Sequence, residues 1–206
     1  MLDIAQILFD SQAVTLNPDN PFHFSSGFRS PIYCDNRVLI SFPQYRTSII
    51  DAFVRLLTNH AILPDVIAGT ATAGIPWAAW IADRLNKPMV YVRSKAKAHG
   101  KCNQIEGRIK PNQRVVVIED LISTGGSAIN CVEALRQANT QVTHCCALFN
   151  YQLTKAKQAM QQADIQCDSL CTLDQLLNTA LTNQTLTKNQ LTLIKKWQTA
   201  PEMWLL

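Results

Sequence analysis

At 206 residues, with 47% hydrophobic and 17% charged residues, the chain has the size and balance of one globular domain with a proper core. Its apolar runs are too short to span a bilayer, and Met1-Leu2-Asp3 opens an amphipathic segment without the basic start of a signal peptide. A net charge of +4 is mild, and seven scattered cysteines without a Cys-x-x-Cys pair predict reduced thiols in a cytoplasmic protein rather than a disulfide framework.

Residues 1–13 have helical spacing, with Ile4, Ile7 and Leu8 on one face. Phe22-His23-Phe24-Ser25-Ser26-Gly27 then alternates like a strand, Pro31 interrupts, and Ile32-Tyr33-Cys34 resumes, which predicts a hairpin. Pro43 suits the first position of a helix, and Tyr45 to His60 carries Ile49, Ile50, Phe53, Leu56 and Leu57 on one side. From Asp65 strands and helices alternate. Val66–Ala68, Pro88–Val92, Val115–Ile118 and Val142–Phe149 read as strands; Ile75–Leu85, Ser127–Ala138 and Leu153–Ala163 read as helices. That order predicts a mainly parallel, twisted sheet flanked by helices, with right-handed crossovers. Leu173–Leu181 and Leu186–Trp197 repeat with helical period. The expectation is a single domain over 1–206: a helix and hairpin over about 1–42, an α/β core over about 62–165, and a C-terminal helical tail over about 166–206.

The chemistry concentrates after the third core strand. Val115-Val116-Val117-Ile118 is followed by Glu119-Asp120, then Leu121-Ile122-Ser123-Thr124-Gly125-Gly126-Ser127 and a helix. Two carboxylates on an apolar strand serve no packing purpose, because burying charge is costly. The turn's backbone N–H groups and the helix start can hold a phosphate, and the acids can accept hydrogen bonds from ribose hydroxyls. Neither G-x-x-x-x-G-K-[ST] nor G-x-G-x-x-G occurs. A second turn, Gly69-Thr70-Ala71-Thr72-Ala73-Gly74, is built of small residues that let a ligand approach the backbone. Between Arg93 and Lys110, six basic residues face one acid, Glu106, which favours an anionic ligand. This patch is one short loop without interleaved aromatics, so nucleic acid is not the expected partner. Taken singly, these pieces also suit an ordinary capped turn, a tight connection, a solvated loop and an edge hairpin.

Taken together they resemble a known family. The strand, acidic pair and Ser/Thr-Gly turn are similar to the phosphoribosyl pyrophosphate (PRPP) motif of type I phosphoribosyltransferases. Lys97-Ala98-His99-Gly100 followed by Asn103-Gln104-Ile105-Glu106-Gly107 resembles the lid of the orotate phosphoribosyltransferases, and Ser26-Gly27-Phe28-Arg29-Ser30-Pro31-Ile32-Tyr33 resembles their base-covering hairpin. The matching stretches run in order from about residue 22 to 127. The resemblance implies a type I phosphoribosyltransferase fold with a small N-terminal hairpin hood. It implies transfer of ribose 5-phosphate from PRPP to orotate, giving orotidine 5′-monophosphate and pyrophosphate, in de novo pyrimidine (UMP) biosynthesis.

The same resemblance implies roles. PRPP would be bound by Arg93, Lys97, His99, Glu119, Asp120, Leu121, Ile122, Ser123, Thr124, Gly125, Gly126 and Ser127, with the 5′-phosphate at Thr124 to Ser127. Thr70, Ala71, Thr72, Ala73 and Gly74 would form the pyrophosphate loop, and Ser123 would touch orotate. Lys97, His99 and Asp120 would be the catalytic residues, with Mg²⁺ carried by PRPP and given no direct protein ligand. It also implies a homodimer whose lid reaches the neighbouring site. The chain departs from many members in having Ser25 before Ser-Gly instead of lysine, Ser94 instead of a basic residue, and no arginine in Phe149-Asn150-Tyr151-Gln152. Two alternatives are a phosphoribosyltransferase for a purine base and a non-catalytic PRPP-binding regulator. The hairpin and lid argue against the first; retention of Glu119-Asp120 with Lys97 and His99 argues against the second.

Overall fold

The computed structural model describes residues 3–23, 29–95 and 104–204. Helix α1 (Ile4–Asp10) starts at Asp3, whose carboxylate accepts from the Ala5 N–H, and it buries Ile4, Ile7 and Leu8. The next strands are short: β1 (Val14–Leu16), β2 (Phe22–His23), β3 (Arg29–Ser30) and β4 (Ile32–Cys34). Their pairing corrects the predicted hairpin. β2 pairs antiparallel with β3, whereas β4 turns back onto β1. Pro31 therefore separates two small sheets rather than interrupting one. The corner is fixed by Ser30, whose buried Oγ donates to the Ile32 carbonyl at 2.7 Å. A short 3-10 segment, Asn36–Ser41, leads into α2 (Pro43–Asn59), with proline at its start as the sequence indicates.

The remaining elements are β5 (Val66–Thr70), α3 (Gly74–Leu85), β6 (Met89–Val92), β7 (Ile105–Glu106), β8 (Arg114–Ile122), α4 (Gly126–Gln137), β9 (Gln141–Asn150), α5 (Thr154–Gln162), β10 (Gln166–Thr172), α6 (Leu173–Thr182) and α7 (Lys188–Thr199). Six strands form one sheet in the order β10-β9-β8-β5-β6-β7. All neighbours are parallel except β7 against β6. Helices cover both faces, so the central strands are buried on both sides. Ile118 and Cys146 join the core on the face of α1, α2 and α3; Val117 and Cys145 join the core under α4 and α5.

Two further expectations change. The tail over 166–206 begins with a strand, because β10 pairs with β9 from Gln166↔His144 to Thr172↔Asn150. The third core strand does not stop at Ile118; β8 continues through the acidic pair to Ile122. The two helices of the tail each begin with a reciprocal cap, Thr172 with Gln175 and Thr187 with Gln190. Trp197 of α7 packs edge-on against Tyr151, which packs edge-on against Phe149, so the tail is anchored beside the end of β9. Among the described residues no helix is long and apolar enough to cross a membrane, and six cysteines are free thiols.

Candidate active site

The last residues of β8 form the rim of the sheet. Glu119 is only 4% exposed. Its Oε1 accepts from the Asp120 N–H at 3.0 Å and its Oε2 from the Ser127 hydroxyl at 3.0 Å. The carboxylate thus ties the strand to the start of α4. Burial, reinforced by the hydrogen bond to Asp120 and that group's charge, pushes the Glu119 carboxyl up to about 8. Burial also raises Asp120, which is half-buried. Two carboxyl groups this close cannot both ionise freely, and the drier Glu119 keeps the proton.

Asn36 supports this end of the strand from the N-terminal segment. Its Nδ2 donates to the Asp120 carbonyl at 2.7 Å, and the residue is 1% exposed. Sequence reasoning missed Asn36, since nothing in Cys34-Asp35-Asn36-Arg37 indicates a partner 84 positions away.

Of the residues expected to bind PRPP, Leu121 and Ile122 turn their side chains toward the two cores and present only backbone to the rim. Ser123 is half-buried, while Thr124, Gly126 and Ser127 are exposed. Gly125 has φ +84°, a left-handed conformation that glycine adopts without strain. A Cβ on Gly126 would meet nothing within 4 Å. Because α4 begins at Gly126, the unpaired N–H groups of its first turn open onto that space.

The second turn stands beside the first. β5 pairs with β8 through Gly69↔Ile118, and a Cβ on Gly74 would lie 2.5 Å from the Ile118 carbonyl oxygen. The close packing of α3 on β8 thereby brings Thr70, Ala71, Thr72, Ala73 and Gly74 next to Glu119. The Ala71 N–H donates to the Val92 carbonyl at 2.9 Å. Thr72 is exposed, whereas Thr70 is buried with no nitrogen or oxygen partner for its hydroxyl.

Both ends of the basic loop are fastened. The Arg93 N–H donates to the Gln104 carbonyl at 3.0 Å, Gln104 Nε2 donates to the Arg93 carbonyl at 2.7 Å, and Asn130 of α4 reaches the Ser94 carbonyl at 3.4 Å. Arg93 also stands 3.7 Å from Glu106. Lys97 and His99, like Ser25 to Phe28 of the hood, lie outside the described residues.

A rim with a buried Glu119 beside a half-buried Asp120, an open glycine turn and Arg93 nearby is the architecture expected for a phosphoribosyl group. The phosphoribosyl transferase domain family matches residues 44–176. An orotate phosphoribosyltransferase of Coxiella burnetii is 49% identical over 98% of this chain and 97% of its own length. The chain belongs to the orotate phosphoribosyltransferase family. The corresponding enzyme of Halalkalibacterium halodurans is 48% identical over 96% of this chain and 94% of that one. Among solved structures, the orotate phosphoribosyltransferase of Aeropyrum pernix aligns with a TM-score of 0.76 at 31% identity, over 87% of this chain and 98% of that one. Leishmania donovani UMP synthase aligns with a TM-score of 0.80 at 30% identity, over 95% of this chain and 41% of that one.

Orotate phosphoribosyltransferases are pentosyltransferases, so the site must also accommodate an acceptor base. A cavity of about 670 Å³ adjoins the rim. Ser123 and Thr124 form its inner edge, Arg29 and Ser30 of the hood one wall, and Trp197 with the segment 199–203 the other.

Proposed function

We propose that the chain transfers ribose 5-phosphate from PRPP to orotate, releasing pyrophosphate and forming orotidine 5′-monophosphate. The observation that carries this reading is the buried Glu119 with its half-buried neighbour Asp120, set at the end of β8 before a turn with vacant space at Gly126. The unpaired N–H groups of Thr124 to Ser127 take the 5′-phosphate, and the acidic pair takes the ribose hydroxyls. Arg93 faces the leaving pyrophosphate with Lys97 and His99. The reaction is a glycosyl transfer with a transition state resembling an oxocarbenium ion, so no covalent nucleophile is needed. The residues hold both reactants in line and offset the charge that grows on the leaving group. Mg²⁺ carried by the oxygens of PRPP, with no direct protein ligand, would supply further charge screening.

The test is spectrophotometric: orotate absorbance should fall only when PRPP and Mg²⁺ are both present. Turnover of hypoxanthine or guanine with none of orotate would overturn the acceptor. We further propose a homodimer in which each lid serves its neighbour. Lys97→Ala and Asp120→Asn should each be nearly inactive, and subunit exchange between them should restore roughly one quarter of the sites. A mixture that exchanges subunits yet stays inactive would place each lid on its own chain.

A further inference from the structure

We infer that Arg29, on β3 of the hood, grips the carboxylate of the acceptor base and so sets the preference for orotate over uracil; this rests on orotate being the acceptor. The cavity beside the rim is lined by Arg29, Ser123, Thr124, Tyr151 and Trp197, among others. Ser123 leads the phosphate turn, and Tyr151 is 7% exposed with its ring set edge-on to Phe149 and Trp197. The cavity thus starts at Ser123 and Thr124, just past the end of β8, and runs outward between the hood and the C-terminal segment. It offers an acceptor base a place beside the rim.

Orotate differs from uracil by one carboxylate, and an anion leaving water needs a cation not already neutralised. Two cationic side chains line this cavity, Arg29 and Lys155. Lys155 is engaged with Glu202 at 3.2 Å. Arg29 makes no ion pair among the described residues. Arg93 stands with Glu106 beyond β5, at the opposite end of the rim, where the pyrophosphate loop lies. The backbone that carries Arg29 is held in place. Its backbone pairs with His23, and its neighbour Ser30 is buried and bonded to Ile32. A guanidinium offers the two parallel N–H groups that match a carboxylate.

Arg29→Gln should raise the KM for orotate by about tenfold to a hundredfold, the range of a lost charge-assisted pair. The KM for PRPP, the melting temperature and the inhibition constant of uracil, which lacks the carboxylate, should all stay within about twofold or unchanged. Arg29→Lys keeps the charge without the fork and should fall between, and it carries the test if the glutamine variant melts early. An unchanged orotate KM in a folded variant removes the inference. So does a parallel rise in PRPP KM, which would put Arg29 on a phosphate, or an equal weakening of uracil, which would make its role steric. A parent enzyme that does not use orotate removes the acceptor reading itself, and that result is visible in the parent alone.

Discussion

Gly74 and Gly126 each open a helix at the same rim of the sheet, and they are glycine for opposite reasons. At Gly74 a Cβ would press to 2.5 Å from the Ile118 carbonyl oxygen, because α3 packs hard against β8. At Gly126 a Cβ would meet nothing within 4 Å. The first glycine is fixed by what the protein already contains, and the second leaves room for a molecule it has yet to bind. Glycine at a strand-to-helix turn is therefore one sequence signal with two meanings, and only the surrounding atoms separate them. Variants ranked by their effect on stability test that separation.

The largest effect concerns the dryness of the rim the two turns share. Glu119 has its carboxyl raised from 4.5 to about 8, chiefly by burial. The folded state therefore holds this proton more tightly than the unfolded chain does. Its contribution to stability is complete below pH 4.5 and is lost as pH rises through about 8. Across that pH window a single group amounts to a few kcal/mol, at roughly 1.4 kcal/mol for each pH unit. Glu119→Gln should accordingly gain on the parent in thermal unfolding as pH is raised from 5 to 8. A difference between the two proteins that does not change with pH would mean that water reaches Glu119.

Gly74→Ala comes next. The added methyl meets backbone rather than a flexible side chain, and overpacking of this kind costs about 3 kcal/mol. In a chain of this size that lowers the melting temperature by roughly 6–12 °C. A variant melting with its parent would show that α3 is not held against β8.

Much of this rim is legible in the sequence, because strand, acids, turn and helix are contiguous from Val115 to Ala138. The four β-branched residues of β8 demand burial on both faces and receive it. Elements with weaker patterns escape. β10 reads Gln-Cys-Asp-Ser-Leu-Cys-Thr, a half-buried strand at the edge of the sheet whose polar residues mask any alternation. β2 and β3 are two residues each, too short to have a period, so the swap of partners around Pro31 does not show in the spacing. Asn36 and Arg29 come to the rim through tertiary juxtaposition, one against Asp120 and the other beside Ser123 and the C-terminal segment. Local sequence is silent about such contacts.

Asn36→Ala tests one of them and should have an intermediate effect. It leaves the partly buried Asp120 carbonyl without its donor, an unmet hydrogen bond that costs about 2 kcal/mol. The expected fall in melting temperature is roughly 4–8 °C. Asp120 would lose its anchor to the N-terminal segment, so kcat should fall along with stability. Parental stability would show that the 2.7 Å contact contributes nothing to the hold on β8.

Gly126→Ala should have the smallest effect on stability and a clear one on function. Gly126 is the first residue of α4, is exposed, and does not have a positive φ, so alanine fits the backbone. The methyl enters open space, and alanine is the better helix former, so stability should stay within about 0.5 kcal/mol of the parent or rise slightly. The 5′-phosphate proposed to occupy that space would then collide with the methyl as it approaches the N–H groups of the turn. We expect the KM for PRPP to rise about tenfold or more, equivalent to roughly 1.4 kcal/mol of binding. Steady-state kinetics and a melting curve on the same preparation decide the matter. If the variant melts early, the space at Gly126 is closed in solution and the contrast with Gly74 disappears. If it melts normally and its KM for PRPP is unchanged, the space is real but the phosphate binds elsewhere.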